Sequence, residues 1–346
     1  MAEPAVGVGV APSDALTAVR AEHLGVLARP PRLVAGARAH AEGRLSAEGL
    51  GALADLAIFD SLFEQDTAGL DVFTDGQFRR PAGPAPPPGA DRVDDEATFL
   101  REHAPGPFKL AVPSPSARAL ITLFTHESHL GAPENHVRMH TEAVALELAA
   151  ASAAGARYVV LEADRYCMFL DPFVRASWRA RGIDPKRLFA LTIEADAGCL
   201  EQLRGDGMTA AVRLCRPFLI GDRLSTAHRP VAAAVLGSLP YDRLLADLDP
   251  DPPRATDLLH AVPAGRSVAL GLVSTGPAAR LPSYDQLVRY VDAAADIVPV
   301  DLLAVGATAA TACDGSRSAP ARLAEQRALA LVGRVARAVW PSRRHQ

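Results

Sequence analysis

The chain has 346 residues, 49% hydrophobic and 22% charged, enough for one large core. A formal net charge of −4 gives it no general attraction to nucleic acid or an anionic membrane, so neither is expected as a partner. No apolar run reaches the length of about 18 residues that would span a bilayer.

Residues 1 to 18 read as a flexible leader, and residues 19 to 340 as one domain. Residues 20 to 31, RAEHLGVLARPP, form an extended segment closed by Pro30 and Pro31. A helix follows from the N-cap Ser46 to Gly69, with Leu53, Leu56, Ala57, Phe59, Leu62 and Phe63 spaced to give one core face. Leu70 to Phe73 reads as a strand. Residues 81 to 90 are a proline-rich loop, followed by the acidic run Asp91 to Glu96. Together they read as an exposed, semi-rigid excursion and a candidate contact for a protein partner.

FKLAV (108 to 112) is the next strand, and a helix runs to about Gly155. The stretch before it, THESHLGAPENHVRMH, carries His136 and His140, four residues apart, so that on a helix they would share a face as metal ligands must; polar surface and loop histidines are the plainer reading. The strand YVVLEAD (158 to 164), a helix from Pro185 to Arg204 and the buried strand TAAVRLC (209 to 215) come next. A short helical piece at Tyr241 to Leu248 leads to the strand SVALGLVS (267 to 274). The helix SYDQLVRYVDAAADI, the strand VDLLAVG and a helix from Pro320 to Val339 end the series. Strands alternating with helices, about seven clear strands and no GxGxxG after the first predict an α/β fold of the closed (β/α)8 TIM-barrel type. The four cysteines Cys167, Cys199, Cys215 and Cys313 form no CxxC pair, the pattern of reduced thiols in a cytoplasmic protein.

Several blocks, in order and from about Arg20 to Ala312, resemble the catalytic C-terminal domain of the cobalamin-independent methionine synthases and their short single-domain relatives. They are RAEHLGVLARPP, GLDVFTDGQFRR, FKLAVPSPS, GARYVVLEAD, VRLCR, VALGLVST and VPVDLLAVG. The resemblance implies a (β/α)8 barrel whose zinc ion activates a thiol, usually homocysteine, for attack on a methyl group carried by a folate-type donor. A zinc-bound sulfur stays thiolate at neutral pH and remains nucleophilic. The family's ligands are the His and Cys of H-x-C, a Glu on the next strand and a Cys on the last. Here H-x-C reads Arg213-Leu214-Cys215, and a guanidinium cannot ligate zinc. Asp249 is the best match for the glutamate, and the last cysteine falls at Ala309. Cys215 and Asp249 are therefore the residual metal candidates.

Among the substrate-contacting positions, His23, Arg79 and Ser116 stand as the family has them. Gln77 replaces an acid that would meet a substrate ammonium, and Glu162 stands where the family has an aspartate. Arg216 is a further candidate contact. Asp75, Glu162 and Cys215 are the catalytic candidates. Two have plainer alternatives, Asp75 as a turn acid and Cys215 as a packed thiol, whereas a carboxylate such as Glu162 pointing into the barrel mouth must find a partner, which favours a functional role. The expected activity is methyl or alkyl transfer to a small thiol or amino-acid-like acceptor, with the family's zinc site largely lost. A non-catalytic or partner-dependent ligand-binding barrel and metal-free, decarboxylase-like chemistry are the alternatives.

Overall fold

Apolar runs without polar alternation, such as Thr209–Leu214 and Ser267–Ser274, are satisfied as strands covered on both faces. In the computed structural model, seven such strands form one parallel sheet in the order β1-β7-β6-β5-β4-β3-β2. The described residues are 19–81, 89–125, 132–214, 229–248, 256–275, 280–308 and 319–341. The strands are β1 (Ala21–Leu24), β2 (Leu110–Pro113), β3 (Tyr158–Glu162), β4 (Thr209–Leu214), β5 (Arg243–Asp247), β6 (Ser267–Ser274) and β7 (Leu303–Thr308). Ten helices among the described residues cover them: α1 (Pro31–Ala41), α2 (Ala47–Ala68), α3 (Ala90–His103), α4 (Pro115–Thr125), α5 (Pro133–Ala153), α6 (Pro172–Ala180), α7 (Pro185–Gly205), α8 (Arg229–Ser238), α9 (Tyr284–Ala295) and α10 (Ala319–Val339). Among these residues no helix is long and apolar enough to cross a membrane.

The expected caps of α2 form: Ser46 Oγ accepts the Gly49 N–H at 3.0 Å, and Gly69 closes the helix in the left-handed conformation. Its core face is narrower than expected. Ala54, Ala57, Ile58 and Leu62 are buried, whereas Leu56, Phe59 and Phe63 are exposed. Phe59 instead packs beside Phe99 and His103 of α3, at 5.3 and 4.9 Å between ring centres. The acidic run is not an excursion either, because it opens α3 and buries Val93, Glu96 and Ala97. Most of the proline-rich loop lies outside the described residues.

Two corrections set the strand count. The piece at Tyr241 to Leu248, expected as helical, contains β5, whose charged ends Arg243 and Asp247 hid a strand buried along its whole length. Leu70 to Phe73, expected as a strand, makes only one parallel bridge, between Phe73 and Phe108. Its backbone reaches both edges of the sheet: Asp71 N–H donates to Ala21 O and Lys109 N–H to Phe73 O, each at 2.9 Å. The Asp71 carboxylate takes the Arg20 and Ala21 N–H groups at 2.8 Å each, so a side chain satisfies edge amides that a regular ladder would pair. The sheet is thus a seven-stranded half-barrel, not the expected closed eight-stranded barrel.

The two-residue strand period sorts the side chains to two faces, interrupted on β6 by a register shift between Gly271 and Val273. Val159, Leu161, Ala210, Val212, Leu244, Leu270 and Val305 face the helices, while Val160, Ala211, Leu245, Ala269 and Ala304 pack inside the sheet's curve. The inner set is small, and long charged side chains fill the remaining space. Glu22 of β1 is fully buried; it accepts hydrogen bonds from Arg243 Nε at 2.8 Å and Tyr158 OH at 3.1 Å, and it pairs with Lys109 Nζ. Burial alone would raise the Glu22 carboxyl, but Lys109 and Arg243 overcome it and hold it down at about 2. Removing the carboxylate leaves two buried cations without their partner. Glu22→Ala is expected to cost about 3–5 kcal/mol, read as a lower urea midpoint at unchanged slope. An unchanged midpoint would show that the cluster is not needed for stability.

Candidate active site at the C-terminal mouth of the sheet

The strand period that turns Tyr158, Ala211 and Arg243 inward also turns Glu162, Arg213 and Asp247 inward, four, two and four residues further along. They meet at the C-terminal mouth, where parallel α/β sheets bind their ligands. Arg213 Nη2 donates to Asp247 Oδ2 at 2.9 Å, and Nη1 donates to Glu162 Oε1 at 3.3 Å. Asp247 Oδ1 is buried and has no hydrogen-bond partner among the described residues. The loop after β1 makes room for the guanidinium. Gly25 holds φ +87°, a conformation that favours glycine, and a Cβ there would lie 2.7–2.9 Å from the guanidinium atoms and displace them from their present position.

Beside this triad lies the turn Thr74–Arg80. Arg29 clamps its backbone, donating to Phe78 O at 3.0 Å, Gln77 O at 2.9 Å and also to Arg80 O. Arg80 makes a two-pronged pair with buried Glu96 at 2.9 and 2.6 Å. Arg79 turns outward to Asp55 of α2 at 2.6 Å and stacks over Phe99. Asp75 Oδ1 accepts the Gln77 N–H at 2.9 Å, while Oδ2 is buried without a partner among the described residues, and so is Gln77 Nε2. Gln77 holds φ +59°, a left-handed conformation that a non-glycine residue keeps only when its surroundings enforce it. Burial, then Glu96, push the Asp75 carboxyl up to about 6 against the pull of Arg80. Asp75 and Glu162 both act on Arg80 electrostatically, which links the turn to the triad.

The other sequence candidates fall elsewhere. His23 is fully buried on β1, and the strand period turns it to the helix side, opposite Glu22 and Leu24. Ser116 opens α4 but is held by α7: its N–H and Oγ donate to Asp196 at 2.9 and 2.6 Å. Ser114 Oγ, 2.8 Å from Ser116 Oγ, caps the Ala117 N–H, and Tyr166 OH donates to Asp196 at 2.8 Å. Burial pushes the Asp196 carboxyl to about 6. His136 and His140 share a face of α5 as expected; His140 lies 3.3 Å from Thr122 Oγ1, and burial, then Arg118, lower it to about 4. Burial raises Cys167 to about 11 and Cys199 to about 12, so both stay thiols at neutral pH. Cys215, Arg216 and Asp249, with Ala309 and Cys313, lie outside the described residues. Sequence reasoning missed Asp247, Asp196 and the pairing of Arg80 with Glu96. An arginine facing into a barrel mouth demands an acid within reach, and the alternation in RLLAD could have supplied Asp247.

The described part of the mouth does not fit a zinc ion. Arg213 puts a fixed positive charge at the position of the family's histidine ligand and engages both carboxylates that face it. Among the described residues no group of three or more His, Cys, Asp or Glu side chains is arranged to hold a metal ion.

No family model matches the chain. The uncharacterised Bacillus subtilis protein YxjH is 26% identical over 325 residues, covering 82% of this chain and 85% of its own. Among solved structures, a protein put forward as a vitamin-B12-independent methionine synthase from Listeria monocytogenes superposes with a TM-score of 0.70 at 20% identity, over 92% of this chain and 96% of that one. A B12-independent methionine synthase from Shewanella sp. W3-18-1, in complex with selenomethionine, gives 0.65 at 17% identity, over 92% and 98%. A Methanosarcina mazei methyltransferase gives 0.52 at 13%, over 90% and 96%. The chain therefore has the fold of the cobalamin-independent methionine synthase-like proteins, as the resemblance of its motifs implied.

The raised Asp75 carboxyl has a definite sign in stability. Its folded value of about 6 exceeds the ordinary 3.8, so its contribution is fully present below pH 3.8 and is lost as pH rises through about 6. Asp75→Asn is expected to unfold at a higher temperature than the wild type at pH 7, with the difference closing below about pH 4. Thermal unfolding at the two pH values checks it; a variant less stable at pH 7 would mean that the ionised carboxyl is stabilising.

Proposed function

We propose that the chain is a methyl- or alkyl-transferring enzyme of the methionine-synthase-like type, acting on a small thiol or amino-acid-like acceptor at the sheet mouth without a zinc-bound thiolate. The observation that carries this reading is Arg213 held between Glu162 and Asp247. Glu162 takes the proton of the acceptor thiol. Once neutral, it no longer needs the guanidinium, and Arg213 Nη1 is released to face the new thiolate. The sulfur then forms its bond to the methyl carbon as the bond from that carbon to the donor nitrogen breaks. The electron pair left on nitrogen takes the proton back from Glu162, so the donor, of folate type, departs neutral. Asp75 and Gln77 hold the acceptor.

The Shewanella relative's complex with selenomethionine supports a small acceptor of about amino-acid size. We read the Leu70–Phe73 segment, bonded to both edges of the sheet, as the remnant of an eighth barrel stave. The decarboxylase-like alternative needs open arginines around Asp75 for a polycarboxylate. Arg29, Arg79 and Arg80 are each already engaged, which disfavours it.

The test is methyl transfer from a methyl-folate donor, by chelator-treated protein, to homocysteine and to small thiols that carry a carboxamide in place of the ammonium. Transfer is expected to persist, and Glu162→Gln to slow it by about 10²–10⁴-fold. Stoichiometric zinc that is lost on Cys215→Ala, with activity that follows the metal, would overturn the zinc-free reading. No transfer to any small thiol would leave a ligand-binding barrel as the better account.

A further inference from the structure

The turn Thr74–Arg80 bears on which acceptor fits. Two of its polar atoms, Asp75 Oδ2 and Gln77 Nε2, are buried and have no hydrogen-bond partner among the described residues. Asp75 is 4% exposed and Gln77 8%, so water satisfies neither group well. An unmet buried donor or acceptor costs about 1–3 kcal/mol, and the left-handed backbone of Gln77 adds to that cost. A ligand that meets both atoms would remove that cost. The pair consists of one acceptor oxygen and one N–H donor. The charges around it balance: Arg79 is neutralised by Asp55, Arg80 by Glu96, and Arg29 stands with Asp75. A cationic group would find no net charge within the turn itself, and at Gln77 it would meet an N–H donor in place of a carboxylate; the neighbouring triad sets two carboxylates against one guanidinium, so the discrimination rests on Gln77.

We propose that this turn recognises a neutral cis-amide edge on the acceptor, a primary carboxamide or a lactam, and discriminates against an ammonium. The amide N–H donates to Asp75 Oδ2, and its carbonyl accepts from Gln77 Nε2. The inference rests on the reading that the acceptor binds at this mouth, but it is a statement about binding and needs no turnover.

Two probes of matched size separate the alternatives: methylthio-propionamide, which carries the amide edge, and methylthio-propylamine, which carries an ammonium. Calorimetry at pH 7 is expected to give at least about tenfold tighter binding of the amide to the wild type. Gln77→Glu is expected to reverse the order. Gln77→Met, of similar size but without the donor, should weaken the amide by about tenfold and leave the amine unchanged. Thermal unfolding confirms that each variant is folded. Tighter or equal binding of the amine by the wild type, an order unchanged in Gln77→Glu, or no binding of either probe to the folded protein overturns the inference. Preference for the amide in a protein that transfers no methyl group would keep this inference and reject the transferase reading.

Discussion

Charge inside the curve of the sheet must be neutralised within the sheet, and most of the structure follows from that constraint. The inward positions of β4, β6 and β7 carry Ala211, Ala269 and Ala304, too small to fill the space that their strands enclose. Long side chains reach across instead: Arg243 and Lys109 at one level, Arg213 at the mouth. In a medium of low dielectric each needs a carboxylate at contact distance, because an unpaired buried charge costs several kcal/mol. Glu22 serves the first level, and Glu162 and Asp247 serve the second. These pairs tie β1 to β5 and β3 to β4 and β5, so the interior is cross-linked by ions where alkyl packing is thin.

The same constraint reshapes the mouth. With a guanidinium between them, the two facing acids are engaged as partners of an arginine. Gly25 is part of this arrangement, since any side chain there would collide with the guanidinium. Arg213 is therefore a built feature of the site, with its space, its partners and its geometry provided by four separate segments.

Much of the fold was legible because its signals are local. Ser46 and Gly69 bound α2, Pro185 opens α7, and the apolar runs of β3, β4 and β6 fall within a residue or two of their expected places. The two misread segments depend on partners far away in the chain. Arg243 and Asp247 make β5 look amphipathic until Glu22 and Arg213 are brought to them. Leu70 to Phe73 has strand chemistry, but the Asp71 side chain takes the β1 amides that a ladder would use. The site was legible in part for the same reason. Asp75, Gln77 and Glu162 could be named from their motifs, whereas Asp247 and Asp196 matter through pairings that no local pattern encodes.

Hydrogen-bond satisfaction separates the polar groups in and around the mouth into two kinds. Ser116 gives both its N–H and its hydroxyl to Asp196, and Arg79 and Arg80 are locked to Asp55 and Glu96; a ligand reaching for any of them would first have to break a good bond. Asp75 Oδ2, Gln77 Nε2 and Asp247 Oδ1 have no bond to break among the described residues, and a ligand that meets them removes a cost already present there. Motif resemblance weighs Ser116 and Arg79 equally with Asp75 and Gln77. The energetics do not: the satisfied groups hold the mouth in shape, and the unsatisfied ones are where binding free energy remains to be gained.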